Sequence, residues 1–221
     1  ASEDAKLVAP TDLDDYAHAK VVAEQITQHA VGDRLLIARP GLMAGPGDTS
    51  DRFSYWVSRF ALAANGNVLV PQTEGRYVQF IDVRDLAAWV LDAGFRGLTG
   101  TYNVVGSERN FSDVLLSAAK VAGYTGEFIA ADDVWLKEQD VNYWAGPHSL
   151  PLWLPLDDAA FAQRSGERFK AAGGSERSLE QTLEDVLTDE RARGLDRVRR
   201  SGLSRTEELV LLQKISESGK N

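Results

Sequence analysis

Tyr16 and Lys20 stand four residues apart in the run Tyr16-Ala17-His18-Ala19-Lys20. On a helix that spacing puts both side chains on one face, with Cβ atoms about 5–6 Å apart. A phenol with a pKa near 10 is a poor acid or base at neutral pH, but a neighbouring ammonium favours the phenolate and lowers that value. Such a tyrosine can pass a proton to or from a carbonyl or alcohol oxygen while a cofactor moves hydride. Taken alone, the pair reads equally as an exposed pair on an amphipathic helix, so the surrounding elements must decide.

Other candidates for chemistry fall away on spacing. The chain has no cysteine, which excludes thiolate nucleophiles, disulfides and Cys-based metal sites. His18, His29 and His148 lack metal-ligand spacing, and His18 is two residues from both Tyr16 and Lys20, which turns it off their face. No metal is expected. Asp82 and Asp85 read as a helix cap and a first-turn acid rather than a catalytic pair. The five tryptophans, Trp56, Trp89, Trp135, Trp144 and Trp153, read as packing residues, with Trp144 and Trp153 also eligible as a pocket wall.

The elements that position Tyr16 and Lys20 follow from apolar periodicity and cap signals. A helix is expected over residues 14–30, with Thr11 or Asp12 near its start, then a short buried strand at 35–38 ending at Arg39-Pro40, and a loop over 41–51. Next come a helix at 52–64, a strand at 68–70 and a strand-like segment at 77–81. Asp82 can cap a helix whose apolar positions Val83, Leu86, Ala87, Val90 and Leu91 share a face. A strand at 102–105, a helix at 112–122 and a strand at 127–130 complete this part. Beyond Asn142, prolines 147, 151 and 155 break the pattern, and three helical segments follow, two opened by the capping boxes Ser178/Gln181 and Ser204/Glu207. The expected organisation is therefore an α/β region at 1–141 and a mainly helical region at 142–221.

Alternating strands and helices point to βαβ units and a parallel sheet. Only two or three sheet strands can be counted, too few to cover a doubly wound sheet, so the sheet is expected to be incomplete. The run Gly41-Leu42-Met43-Ala44-Gly45-Pro46-Gly47 follows a strand but lacks Gly-x-Gly-x-x-Gly spacing. It reads either as a plain connection or, because ligands bind beyond the carboxyl ends of strands, as part of a site.

In this order, Tyr16-x-x-x-Lys20 with Ala23-Glu24, Ala38-Arg39-Pro40 through Gly45-Pro46-Gly47-Asp48, and Ile81 to Ala87 resemble the extended short-chain dehydrogenase/reductases, the NAD-dependent epimerase/dehydratase family. The likeness covers residues 14–123. It implies a Rossmann-like doubly wound sheet, incomplete in this chain, with a smaller helical substrate region, and NAD or NADP as cofactor. Tyr16 would be the general acid/base, and Lys20 would tune it and hydrogen-bond the nicotinamide ribose. Pro40 and Gly41 would border the nicotinamide, and the loop from Leu42 and Met43 to Arg52 would face substrate, with Arg76 a further candidate contact. Two departures matter. The family's Ser or Thr would precede Ala1, Ser2 being too near Tyr16. The diphosphate-binding Arg of sugar-nucleotide epimerases is replaced by Val78, with Arg76 two positions off. A small alcohol or carbonyl substrate is therefore expected, in an oxidoreductase, epimerase or dehydratase. A catalytically silent dinucleotide-binding protein of the same fold is the alternative. Relatives pair through the Tyr/Lys helix, and Val21, Val22 and Ile26 fit a homodimer.

Composition agrees with an ordinary globular protein: 43% hydrophobic, 26% charged. A formal charge of −9 repels phosphate backbones and argues against nucleic acid. The late arginines 191, 193, 197, 199, 200 and 205 alternate with acids and read as solvated helix faces. No apolar run approaches the roughly 18 residues of a membrane span, and with no cysteine a cytoplasmic location is expected.

Overall fold

The computed structural model describes residues 14–218; Ser2, Thr11 and Asp12 lie outside them. Helix α1 spans Tyr16–Val31, and its cap is Asp15, whose carboxylate accepts a hydrogen bond from His18 N at 2.9 Å. It ends at Gly32 with φ 65°. Strand β1 (Leu36–Pro40) follows, then β2 (Leu42–Ala44) inside the expected loop, α2 (Ser54–Ala63) and β3 (Val68–Pro71). The strand-like segment at 77–81 divides into β4 (Tyr77–Val78) and β5 (Phe80–Asp82), and α3 (Val83–Phe95) follows at once. Then come β6 (Gly100–Val104), β7 (Arg109–Asn110), α4 (Phe111–Ala122), β8 (Phe128–Ala131) and α5 (Asp133–Glu138). Beyond the expected boundary lie β9 (Asn142–Trp144), β10 (Ser149–Pro151), α6 (Glu167–Ala171), α7 (Leu179–Arg193) and α8 (Arg205–Ser218).

Pairing is short and mostly parallel: β1 with β6, β2 with β5, β3 with β8 and β9 with β10, while β4 and β7 run antiparallel. The longest ladder aligns Leu36 with Gly100 and Pro40 with Val104. The break between β4 and β5 falls at Gln79, where the chain changes partner. The buried Gln79 amide donates to Gly106 O (3.0 Å) and Arg164 O (2.8 Å) and accepts from Arg164 N (3.0 Å). A side chain thus does the hydrogen bonding that a ladder would do.

Helix α2 is buried almost all round, which suits an apolar helix in the middle of a core. It packs on α4 and α7. One buried cluster joins Trp56 and Phe60 of α2 and Leu115 of α4 to Leu150, Trp153, Leu183 and Leu211, so the core runs across Asn142 without a break. A smaller cluster of Ile81, Trp89, Ala93, Val104 and Phe169 lies against β1 and β6. The apolar face expected on α3 is corrected by this packing. Trp89 and Ala93 are buried with Leu86 beside them, whereas Leu91 is exposed, so the helix has two apolar faces and turns one inward.

The late arginines also need correction. Arg193 pairs with Asp189 at i,i+4 as on a solvated face, but Glu190 and Glu208 are fully buried and Arg199 is nearly so. Glu190 accepts from Arg193, Arg197 and Arg199 at 2.7–2.9 Å. Asp51, also buried, pairs with Arg197 and accepts from Arg200 N at 2.8 Å. No helix among the described residues is long and apolar enough to cross a membrane.

Candidate functional site

Lys20 and Tyr16 meet on α1 as their spacing requires, with Lys20 Nζ 5.4 Å from the centre of the Tyr16 ring. The ring is 77% exposed, and no carboxylate of the described residues is paired with Lys20. The ammonium and the phenol therefore face open space with donors to offer. Farther along the same face, Glu24 accepts from Arg39 Nε at 2.9 Å and Arg39 Nη2 at 2.6 Å. This bidentate pair ties α1 to the carboxyl end of β1.

Pro40 and Gly41 close β1. Gly41 N donates to Val104 O at 3.4 Å, and a Cβ at Gly41 would come within 3.2 Å of Val105 Cγ1, so the strand end is held tightly against β6. The following segment separates its residues. Leu42 is buried in the core, Met43 is half exposed, and Arg52 lies over the Trp144 ring with its Cζ 5.3 Å from the centroid. Arg76 is buried, donating Nε to Leu154 O (2.9 Å) and Nη1 to Gln72 O (2.8 Å), and pairing with Asp133. Of the four expected substrate contacts, Met43 and Arg52 thus present side-chain surface, while Leu42 and Arg76 are committed to the interior.

The glycine-rich loop is committed as well. Gly47 N donates to Asp189 Oδ2 at 2.9 Å, so an internal carboxylate occupies the place an anionic ligand would need. Its far end is fixed by Asp51, whose φ is 59°. Burial pushes the Asp51 carboxyl up, but hydrogen bonds from Arg197 and Arg200 N outweigh this and hold it below the usual carboxylate range. Sequence reasoning missed this anchor because its partners lie some 146 residues away.

Trp144 is half-buried, stacks edge-on to Phe161 at 5.3 Å and has φ 66°; Trp153 is fully buried and donates to Asp133 Oδ1 at 3.1 Å. Positive φ recurs at His148 and Leu152. His148 sits between Glu207 (3.0 Å) and Gln139 O (3.1 Å). No group of three or more metal-ligating side chains occurs among the described residues.

No family model matches the sequence, and no curated protein matches it. Solved structures do. RMD from Pseudomonas aeruginosa, complexed with NADPH, is 22% identical with a TM-score of 0.57, covering 81% of this chain and 57% of that one. UDP-glucose 4-epimerase from Thermus thermophilus, complexed with NAD, is 19% identical with a TM-score of 0.55, covering 81% and 54%. dTDP-glucose 4,6-dehydratase from Bacillus anthracis str. Ames, in complex with NAD, is 15% identical with a TM-score of 0.54, covering 86% and 55%. The chain spans little more than half the length of these proteins. Its fold is accordingly mixed α/β and Rossmann-like, matching part of each of these proteins.

Proposed function

We propose that this chain contributes the proton-transfer end of an NAD(P)-dependent oxidoreductase or epimerase/dehydratase that acts on a small alcohol or carbonyl compound. The observation that carries the reading is the Tyr16–Lys20 pair, open to solvent on α1, the helix that the Arg39–Glu24 bridge ties to β1. The residues fit one end of a nicotinamide dinucleotide. A free ammonium beside a phenol suits ribose hydroxyls and a substrate oxygen, and Pro40 and Gly41 give a flat, closely packed border. They do not fit its pyrophosphate, since the Gly45-Pro46-Gly47 loop is engaged by Asp189. NAD or NADP, when bound, supplies or accepts hydride.

Tyr16 Oη would then hold the proton that leaves or joins the substrate oxygen, and Lys20 Nζ would donate to the ribose of the cofactor. Met43 and Arg52 border the substrate. Arg76, engaged by Leu154 O, Gln72 O and Asp133, is not counted among the substrate contacts. The protein is read as a homodimer formed through α1, where Ile26 is 64% exposed, and as a cytoplasmic protein whose ligand is a small molecule rather than nucleic acid.

In the full-length protein, Tyr16→Phe is expected to lower turnover by about 10²-fold or more with cofactor affinity nearly unchanged. Lys20→Ala is expected to damage both. Steady-state kinetics with calorimetry separates these outcomes, and normal turnover in Tyr16→Phe removes the reading. The 221-residue chain alone is expected not to bind NAD(P) at micromolar concentration, for want of a glycine turn to receive the pyrophosphate.

A further inference from the structure

The contact of Arg52 with Trp144 is one end of a longer row of stacked side chains. Arg52 Cζ stands 5.3 Å from the Trp144 ring centre, Trp144 meets Phe161 edge-on at 5.3 Å, and Arg164 Cζ stands 4.9 Å from the Phe161 ring centre. A cation thus lies at each end of an aromatic pair, and Phe161 keeps about half of its surface exposed.

Neither guanidinium is spent within the protein. Arg52 Nε donates to Ser50 Oγ at 3.2 Å, and its two Nη atoms have no acceptor among the described residues. Arg164 donates its backbone N to Gln79 Oε1 at 3.0 Å, while its guanidinium has no acceptor among the described residues. Asp48, Asp51 and Glu167 are within four positions of these arginines in the chain, yet none of them pairs with either. Asp48 is turned to Ser50 N at 2.8 Å, and Asp51 is held by Arg197. Arg39, Arg76, Arg84 and Arg177, by contrast, each have a carboxylate partner.

The row is also fixed in place. Trp144 has φ 66°, a conformation that a non-glycine residue holds at a cost and keeps where its surroundings impose it. Its backbone N donates to Trp153 O at 2.9 Å. Stacking on the rings restrains both guanidinium groups before any ligand arrives, so less freedom is lost on binding. The Arg164 end lies beside the strand end read above as the border of the nicotinamide. A Cβ at Gly41 would stand 3.2 Å from Val105 Cγ1 and 3.6 Å from Gln79 O, and a Cβ at Gly166 would stand 3.1 Å from Val105 Cγ2. Gly41 and Gly166 therefore pack on the same valine, and Gln79, which holds the backbone of Arg164, adjoins both.

We propose that Arg52, Trp144, Phe161 and Arg164 form the substrate wall of this protein and select a carboxylate, so that the substrate is a hydroxy or oxo acid with an apolar body. The reaction assigned to that acid rests on the function proposed above; its binding to the wall does not. Forked guanidinium donors suit a carboxylate. The two rings and the half-exposed Met43 suit the apolar body.

The test titrates 3-phenylpropionate and its neutral amide, 3-phenylpropionamide, into the 221-residue chain at constant ionic strength, read by calorimetry and by tryptophan fluorescence. Saturable binding of the acid is expected, about tenfold or more tighter than that of the amide, the scale of a charge-assisted hydrogen bond. Arg52→Gln and Arg164→Gln, neither of which breaks an ion pair, should each weaken the acid about tenfold and leave the amide unchanged. Trp144→Phe should remove most of the fluorescence response. Turnover of Tyr16→Phe in the full-length protein tests the proton-transfer reading, and acid binding to this chain tests the wall, so either can fail alone. Equal binding of acid and amide, acid binding that either arginine substitution leaves untouched, or absence of saturable binding overturns the proposal.

Discussion

Asp82 accepts hydrogen bonds from Arg84 N (3.0 Å), Arg84 Nη2 (2.7 Å) and Thr182 Oγ1 (3.0 Å), and lies 3.6 Å from Arg177 Nε. It caps α3 and at the same time joins that helix to α7. Burial pushes its carboxyl up, but Arg84, Thr182 and Arg177 outweigh burial and hold it below the usual carboxylate range. Asp82→Asn is expected to lower stability by about 3 kcal/mol at pH 7, the lower end of the scale for breaking a buried charge pair because Arg84 is partly exposed. Since the folded pKa is depressed, this contribution is complete above the unfolded carboxylate value near 4 and is lost as pH falls through the lower folded value. Urea denaturation at pH 7 and at pH 3 should show the gap between parent and variant closing in acid. A gap that stays constant would mean that the carboxylate's charge is not what stabilises. The cap was legible in the sequence because capping is a local act; Thr182 and Arg177 were not, because nothing in the spacing of residues brings position 182 to position 82. The same division holds on α1, where Tyr16 and Lys20 are legible at four residues' distance and Arg39 on Glu24 is not.

At the scale of elements, Ser178 and Ser204 show what a local signal secures. Gln181 N donates to Ser178 Oγ at 3.1 Å, and the Ser204 box closes in both directions, with Ser204 N to Glu207 Oε2 at 2.7 Å and Glu207 N to Ser204 Oγ at 3.2 Å. Ser178→Ala and Ser204→Ala should each cost about 1 kcal/mol, additive in the double variant because the two caps share no partner. Chemical denaturation checks this, and a clearly smaller loss at Ser178 would show that α7 is held by packing alone. Strand β2 escaped the sequence reading because Leu42, Met43 and Ala44 sit between glycines and pair with β5, an element some 40 residues away. The division of 77–81 escaped for a related reason: both halves have strand-forming residues, and only the partner of each tells that the chain turns at Gln79. The expected α3 face failed differently, since periodicity finds apolar stripes but does not say which of two stripes a sheet will cover.

For the whole molecule, burial is uneven. The core around Trp56 and Trp153 unites residues on both sides of Asn142, whereas α1 has Val21 as its buried residue and is fastened through Glu24. Amide hydrogens in α1 of this chain are therefore expected to exchange at least about tenfold faster than those of α4, which is packed on α2 and α7. Hydrogen exchange followed by mass spectrometry measures the ratio. Protection of α1 that rises with protein concentration would mark pairing through this helix, and protection equal to that of α4 at high dilution would show that α1 is held within one chain. Composition and alternation of elements made the α/β architecture legible, but the change to helical segments after Asn142 suggested a separate region where the side chains build a common core.

The fastening of Asp51 by Arg197 and Arg200 has a consequence for how the protein comes into being. During synthesis, β1, β2 and α2 leave the ribosome long before residues 197–200, so for most of translation Asp51 has no countercharge and the loop bordering Met43 and Arg52 has no fixed end. Closing a contact over some 146 residues comes late for reasons of chain entropy. The surroundings of Met43 and Arg52 are then among the last parts of the nascent chain to settle, together with the part of the core that α7 and α8 supply.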